Sequence, residues 1–391
     1  MKLKRLIALF GMAIILTACS DRENKAVITI SSDVDHPMAV IGLNERDFPE
    51  ILQAYSKENL EVLDVESGEL VLYQWLEDEL LLAIELKGGK SRTLSITRSN
   101  TKPGNPEERT FARFVPERTD DFAWENDKVA FRTFGPDAKK RVIEGRSGGT
   151  LSSGIDVWHK KVKYPIIDKW YHKELQTKGT YHEDDGEGAD YYHVGTSRGV
   201  GGTGFWDKDT LYASENFIRY EQIAEGPVRT VFKLYYEPYQ VGDRLVSETK
   251  TISLDLGSHL SRYEVEAVCE NTGTLPYLTA GITLHENKGT TIVNQSNGIY
   301  AVWEPMEGTH LGTAILTPQE VENYLKHIST HRDQSQLLAN IKTEQNKVTF
   351  YAGFAWDQAG EITDIEMWET YLNDFAKRLR NQPKVTLTQK P

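Results

Sequence analysis

Between Ser147 and Phe217 the chain gathers side chains able to move protons and hold an anion. They are Trp158-His159-Lys160-Lys161, Lys169-Trp170-Tyr171-His172, Tyr181-His182, Tyr191-Tyr192-His193 and Ser197-Arg198. Four of the ten histidines fall in this stretch, which is too polar to be ordinary core. Imidazole changes charge near neutral pH, and a phenol joins it as acid or base when neighbouring cations shift its pKa. Loops carried on a rigid scaffold concentrate such groups at ligand sites. Aromatic faces, cations and Tyr/His proton carriers together suit an acidic sugar.

Each element also has a plainer role. A Trp or Tyr packs a core more often than it stacks on a sugar, and Lys160-Lys161 reads equally as a solvated face. Gly199–Gly204 lacks the Lys-Ser/Thr ending of a phosphate-binding loop. His182, Glu183, Asp184 and Asp185 carry ligand atoms, but their spacing matches no zinc or calcium pattern. No metal or other cofactor is expected, a divalent ion being the lesser alternative.

The elements that must position these groups read as strands. Ala26–Ser31, Leu60–Asp64, Leu70–Trp75, Leu80–Leu86 and Ser91–Thr97 are short, alternating or β-branched, and separated by turn residues. Thr101–Glu108 is a loop, and Val129–Phe134 a further strand. Arg229–Tyr236, Ser247–Leu256, Arg262–Glu270 and Leu278–Glu286 predict an antiparallel meander. On the last, Leu278, Ala280, Ile282 and Leu284 face the core, with His285 on the polar face. Helices are expected at Gln319–His327, after Thr317-Pro318, and at Asp364–Arg380. The fold class is mainly β, a large antiparallel β-sandwich with a few peripheral helices.

Residues 1–18 read as a lipoprotein signal peptide: Lys2, Lys4 and Arg5, an apolar run from Leu6 to Leu16, then Thr17-Ala18 before Cys19. The run is too short to span a bilayer as a stable helix. Cys19 is the expected lipidation site, residues 19–25 a tether, and residues 26–391 one large catalytic sandwich in which 26–100 form an N-terminal sheet subdomain. The protein is thus expected to be exported and held by lipid at the outer membrane, on its periplasmic face or at the cell surface. An acylated Cys19 leaves Cys269 without a disulfide partner, and its alternating flanks place it in the core. The formal net charge of −13 becomes more negative once the basic leader is removed, which excludes nucleic acid as a partner.

Phe122-Ala123-Trp124-Glu125-Asn126-Asp127-Lys128-Val129-Ala130-Phe131-Arg132 with Gly135-Pro136, Ser153-Gly154-Ile155-Asp156-Val157-Trp158, Tyr181-His182 through Tyr192-His193-Val194-Gly195, and Arg198-Gly199-Val200-Gly201-Gly202 resemble a former domain-of-unknown-function family that contains the ulvan oligosaccharide dehydratases. The resemblance runs from about Phe111 to the C-terminal helix. The sheet-forming part is also similar, more weakly, to the galactose-mutarotase-like sandwich of several polysaccharide lyases.

The resemblance implies loss of water from a non-reducing-end glucuronic or iduronic acid, leaving a 4,5-unsaturated uronyl group. That reaction needs a base for the C5 proton, an acid for the departing C4 hydroxyl and positive charge at the carboxylate. Tyr192 and His193 are the first candidates for base and acid, with Tyr181 and His182 next. Arg198, Lys161 and His159 are candidates to hold the anionic oligosaccharide, with Trp158 and His285 as further binding residues. Neighbours on an extended chain face opposite ways, so only one of Tyr192 and His193 is expected to act. A polysaccharide lyase, a glycoside hydrolase using Glu183, Asp185, Glu187 or Asp190, and a non-catalytic carbohydrate-binding lipoprotein are the competing readings.

Overall fold

The computed structural model describes residues 25–101, 104, 106–270, 273–331 and 333–391. The leader, Cys19 and all but the end of the tether lie outside these residues. The architecture is mainly β, and all pairings between its strands are antiparallel. The longest sheet runs in the order Phe217–Glu225, Arg229–Tyr236, Arg244–Asp255, Leu260–Cys269, Lys347–Trp356, Thr309–Leu316, Ile299–Met306, Thr290–Asn294. Facing it is a five-stranded sheet in which Tyr277–Thr283 lies between Val200–Asp207 and Gln336–Lys342. Phe232, Tyr263, Phe350 and Phe354 from the first sheet meet Val200, Leu278, Ile282 and Leu337 from the second in one apolar core. Burying such side chains is worth roughly 1.5–3 kcal/mol each.

The expected meander holds for three strands, which pair consecutively between Arg229 and Cys269. The fourth, Tyr277–Thr283, crosses to the facing sheet, and both of its faces are buried. Its outward threonines have polar partners there, Thr279 donating to Asn340 at 2.7 Å and Thr283 bonding the Ser197 hydroxyl.

The helix expected at Gln319–His327 is a strand, Val321–His327, paired with Gln336–Lys342. The open edge of that strand offers backbone partners, which outweigh a weak local helical preference. The C-terminal helix does form, as Ile365–Arg380. Asp364 caps it by accepting from the Met367 N–H at 2.8 Å, and Trp368, Leu372 and Ala376 bury its inner face on the outside of the long sheet. Pro49–Tyr55, Pro136–Ile143 and Ile167–Gln176 are further helices.

Residues 26–98 build two small sheets around an apolar core of their own, including Ile28, Ile30, Leu82, Ile84 and Leu94. The C-terminal strand Lys384–Gln389 completes one of them by pairing with Ala26–Ser32. Gln74 joins this unit to the sandwich, its amide oxygen accepting from the Val228 and Arg229 N–H groups at 2.8 Å. Cys269 is buried, at the end of a strand. No helix among the described residues is long and apolar enough to cross a membrane.

A further five-stranded sheet carries the segment rich in His, Tyr and cations. Its order is Gly188–Ala189, Ile155–Lys160, Ala130–Thr133, Asp121–Glu125, Phe111–Val115, with the helix Ile167–Gln176 packed on one face through Trp170 and Tyr171.

Candidate active site

Ala189 is tied to the sheet opposite His159. Beyond it the chain runs through Asp190-Tyr191-Tyr192-His193-Val194 with alternating burial: Asp190, Tyr192 and Val194 point inward, Tyr191 and His193 outward. Tyr191 and His193 thereby line a cleft of about 450 Å³. Its other walls come from the turn after Tyr277–Thr283 (His285, Glu286, Lys288), from the hairpin between Ile299–Met306 and Thr309–Leu316 (Glu304 to Gly308), and from Asp333.

Two histidines meet here, each beside a carboxylate. His193 Nδ1 lies 2.9 Å from Asp333, leaving Nε2 free for a ligand, and half of its side chain is exposed. Gly195 permits this pairing: its φ is +52°, and a Cβ there would stand 2.6 Å from the Asp333 carboxylate. His285 Nδ1 lies 2.9 Å from Glu304, and its Nε2 lies 3.1 Å from the His193 carbonyl. Both partners only accept hydrogen bonds, so the ring satisfies both only as the doubly protonated imidazolium. Burial pulls the His285 pKa down, but the Glu304 hydrogen bond and charge, with smaller help from the His193 carbonyl and Asp333, outweigh it and raise the pKa. The backbone of His285 sits at φ +35°, a region a side chain enters at a cost and one that clusters at working sites.

Tyr191 forms the inner wall. Its ring lies 5.5 Å from that of His159 and 6.3 Å from that of Trp356. Lys161 stands 5.7 Å above Trp356 and bonds Asp184 at 2.6 Å. Burial and then Asp184 raise the Tyr191 pKa, against the opposing charge of Lys161, so the phenol is a proton donor at neutral pH. His159 is fully buried and pulled down to about 3, by desolvation first and by His285 second. It is a neutral residue buried behind Tyr191 and not the cation expected of it.

The remaining sequence candidates do not converge on the cleft. Tyr192 points into the core, and burial followed by the Glu304 charge holds its pKa far above the ordinary phenol value. Trp158 is buried against Trp170, Tyr171 and Tyr181, with no face for a sugar. The Tyr181 hydroxyl accepts from Arg132 at 2.9 Å and from Arg118 at 3.3 Å. His182 is exposed, on the rim of the same knot, its Nδ1 2.8 Å from the Asp190 carbonyl. In that knot Arg132 bonds Asp156 at 2.7 Å and Asp190 at 3.1 Å, all three buried. Arg198 is buried on the far side of the loop that carries His193. The Gly199–Gly204 run is strand from Val200 onward, not an anion cradle, and a Cβ at Gly199 would stand 1.9 Å from the Ile155 carbonyl oxygen.

Among the cleft residues to which the sequence assigns no role are Tyr191, Glu304 and Asp333. The first was visible in the alternation, since Tyr191 and His193 are two apart and share a face. The two acids arrive from distant parts of the chain, Glu304 on a strand and Asp333 in a turn, and carry no local signal. Among the described residues no group of three or more His, Cys, Asp or Glu side chains is placed to hold a metal ion.

A family model described as "Domain of unknown function (DUF4861)" matches residues 28–385. "Uncharacterized protein P7" of Formosa agariphila is 37% identical over 405 residues, covering 98% of this chain and 100% of that one. Among solved structures, a protein in glycosyl hydrolase family 38 from Enterococcus faecalis has a TM-score of 0.42 at 10% identity, over 94% of this chain and 48% of its own. An alpha-mannosidase from Enterococcus faecalis V583 has a TM-score of 0.43 at 11% identity, over 94% of this chain and 46% of its own. The chain spans about half the length of those two structures.

Proposed function

The chain belongs to the DUF4861 family, and from that premise we propose that it is a dehydratase acting on a non-reducing-end uronic acid of ulvan-type oligosaccharides. The observation that carries this reading is the meeting of two carboxylate-paired histidines and a protonated tyrosine in one open cleft. The sequence resemblance to ulvan oligosaccharide dehydratases supports it independently.

His193 is the base. Asp333 at Nδ1 fixes the tautomer that leaves a lone pair on Nε2, the nitrogen available to a substrate. Tyr191 is the acid, its raised pKa keeping the proton in place until the C4 hydroxyl departs. His285 supplies the positive charge that offsets the negative charge growing on the uronate carboxylate as C5 loses its proton. Its N–H groups are already engaged, so it acts through its field across the cleft. The C5 proton goes to His193, the C4–O bond breaks, and the hydroxyl leaves as water with the Tyr191 proton. Solvent exchange then returns a proton from His193 to the phenolate. The lipid on Cys19 would hold this cleft outside the cytoplasm, within reach of oligosaccharides that a lyase or hydrolase has released.

Incubating the chain that begins after Cys19 with saturated uronyl-ended oligosaccharides tests the reading by mass spectrometry. The expected product is lighter by one water, with its number of sugar residues unchanged. Cleavage into shorter chains would instead establish a polysaccharide lyase or hydrolase, and unaltered substrate from every uronyl-ended chain would leave a binding protein.

A further inference from the structure

The loop that presents His193 to the cleft turns back at Thr196 and places Arg198 beneath a second hollow, of about 350 Å³. Arg198 is only 4% exposed. Its guanidinium donates to the Ser153 hydroxyl at 2.8 Å and to the Thr203 and Thr196 carbonyls at 3.2 and 3.4 Å, and among the described residues its Nε has no partner. Every one of these acceptors is neutral. Glu248, the carboxylate whose field reaches Arg198, is already engaged by the Thr203 hydroxyl at 2.7 Å and the Tyr239 hydroxyl at 2.6 Å. It also stands 3.6 Å from the ammonium of Lys250, which is buried and lacks a hydrogen-bond partner among the described residues. Two interior cations therefore share one carboxylate, and an excess positive charge is costly in a protein interior unless an anion approaches it.

The hollow is the route by which one can. Trp206 and His327 form an aromatic wall, their rings 5.0 Å apart. Gln334 and Gln336 bring amides, the latter accepting from the Arg198 N–H at 2.9 Å, and Asp209 and Thr210 stand on the rim. An aromatic wall suits the face of a pyranose, amides suit its hydroxyls, and a guanidinium suits an acidic substituent. We propose that this hollow binds a sugar residue bearing a carboxylate or sulfate ester, with the acidic group toward Arg198 and the ring beside Trp206 and His327. The preference for an anion stands on Arg198 and its surroundings alone. The choice of a sugar rests partly on the reading of the cleft, whose substrate would extend over the intervening loop into this second subsite.

Indole N–H resonances of the ¹⁵N-labelled chain test this directly, with Trp206 reporting the hollow and Trp356, buried behind Tyr191, reporting the cleft. The peaks are assigned with Trp206→Phe and Trp356→Phe. Sodium glucuronate, glucose and sodium sulfate are titrated at matched ionic strength. The expected result is a saturable shift of Trp206 with glucuronate, at an affinity about tenfold or more above that for glucose, the ratio a charge-assisted hydrogen bond confers. Arg198→Gln removes that preference while any shift at Trp356 persists. Because Arg198 is interior, His327→Ala on the rim provides a second variant, expected to weaken glucuronate binding at Trp206 several-fold in a fully folded protein. Equal responses to glucose and glucuronate, a sulfate response as strong as that to glucuronate, or an unmoved Trp206 would each overturn the proposal. A silent Trp356 beside a responsive Trp206 would count against the cleft and leave the second site standing.

Discussion

The knot around Arg132 and the cleft around His193 draw on the same stretch of chain and use the same residue types to opposite ends. In the knot, Arg132 is enclosed by Asp156, Asp190 and Tyr181, its guanidinium 5.5 Å from the rings of Trp158 and Tyr181. Hardly an atom faces solvent. In the cleft each histidine meets one acid, and the Nε2 of His193 and the Tyr191 phenol stay available to a ligand. A satisfied polar network adds rigidity, whereas an unsatisfied one beside open space does chemistry. The knot anchors Asp190, and the residues one and three places beyond it are Tyr191 and His193. The buried network is thus the mount on which the reactive groups are set.

The most severe test exchanges the two regions' expected responses. Arg132→Met strands the buried carboxyl groups of Asp156 and Asp190 and should cost about 3–5 kcal/mol of unfolding free energy. His193→Asn should leave the urea midpoint almost unmoved and lower turnover about 10²–10⁴-fold. Unfolding curves and product assays on both variants decide it. A destabilised His193→Asn with normal turnover would make the cleft a second structural knot.

Adjacent tyrosines give a finer comparison. Tyr191→Phe removes the proposed acid and should cost about 10²-fold in kcat. Tyr192→Phe removes a buried hydroxyl without a well-formed hydrogen bond, so stability should hold or rise slightly and kcat should stay within about threefold. Equal losses from the two changes would dissolve the distinction between inward and outward faces.

That pair also marks how far the sequence could be read. The sandwich class, most strand positions and the capped C-terminal helix follow from alternation, turn residues and the Asp364 cap, all local signals. The strand Val321–His327 reads as helix in sequence because its partner edge, Gln336–Lys342, is brought to it only by the fold. The density of His, Tyr and cations points to Trp158–Arg198, but density cannot say which side chains converge. Trp158, Tyr181 and Arg198 went inward because sheets and a helix close over them. Glu304 and Asp333 come more than a hundred residues after His193, and the pairing of distant strands brings them to one mouth.

The pH response of the cleft follows from His285. Its raised pKa means the imidazolium persists past the ordinary histidine range, and its charge is lost as pH rises through the folded value. The kcat/KM profile should therefore fall on its alkaline side, about tenfold per pH unit at the steepest. His285→Gln should be slow throughout and lack that limb. A limb that survives the substitution would assign it to another group, Tyr191 being the next titratable residue on the wall.

The knot has the weaker pH response, and of a distinctive sign. Asp121 lies beside it, 3.8 Å from Arg132 and 3.2 Å from the Tyr171 hydroxyl. Desolvation, only partly opposed by Arg132, pushes its carboxyl up to about 6, and Asp156 and Asp190 are raised as well. An unfolded aspartate titrates near 3.9. Between those values the folded chain holds a proton that the unfolded chain has released, so stability is greatest below the unfolded pKa and declines as pH climbs through about 6. This is the reverse of an aspartate whose pKa is depressed by an ion pair. Asp121→Asn keeps an acceptor for Tyr171 and removes the titration, so urea midpoints measured from pH 4 to 7 should fall less steeply than in the parent, by on the order of 1 kcal/mol over the interval. Parallel curves for the two proteins would mean that Asp121 ionises freely in the folded state. The knot would then have to be solvated more than its closure over Arg132 allows, and its role as a rigid mount for Tyr191 and His193 would fail with it.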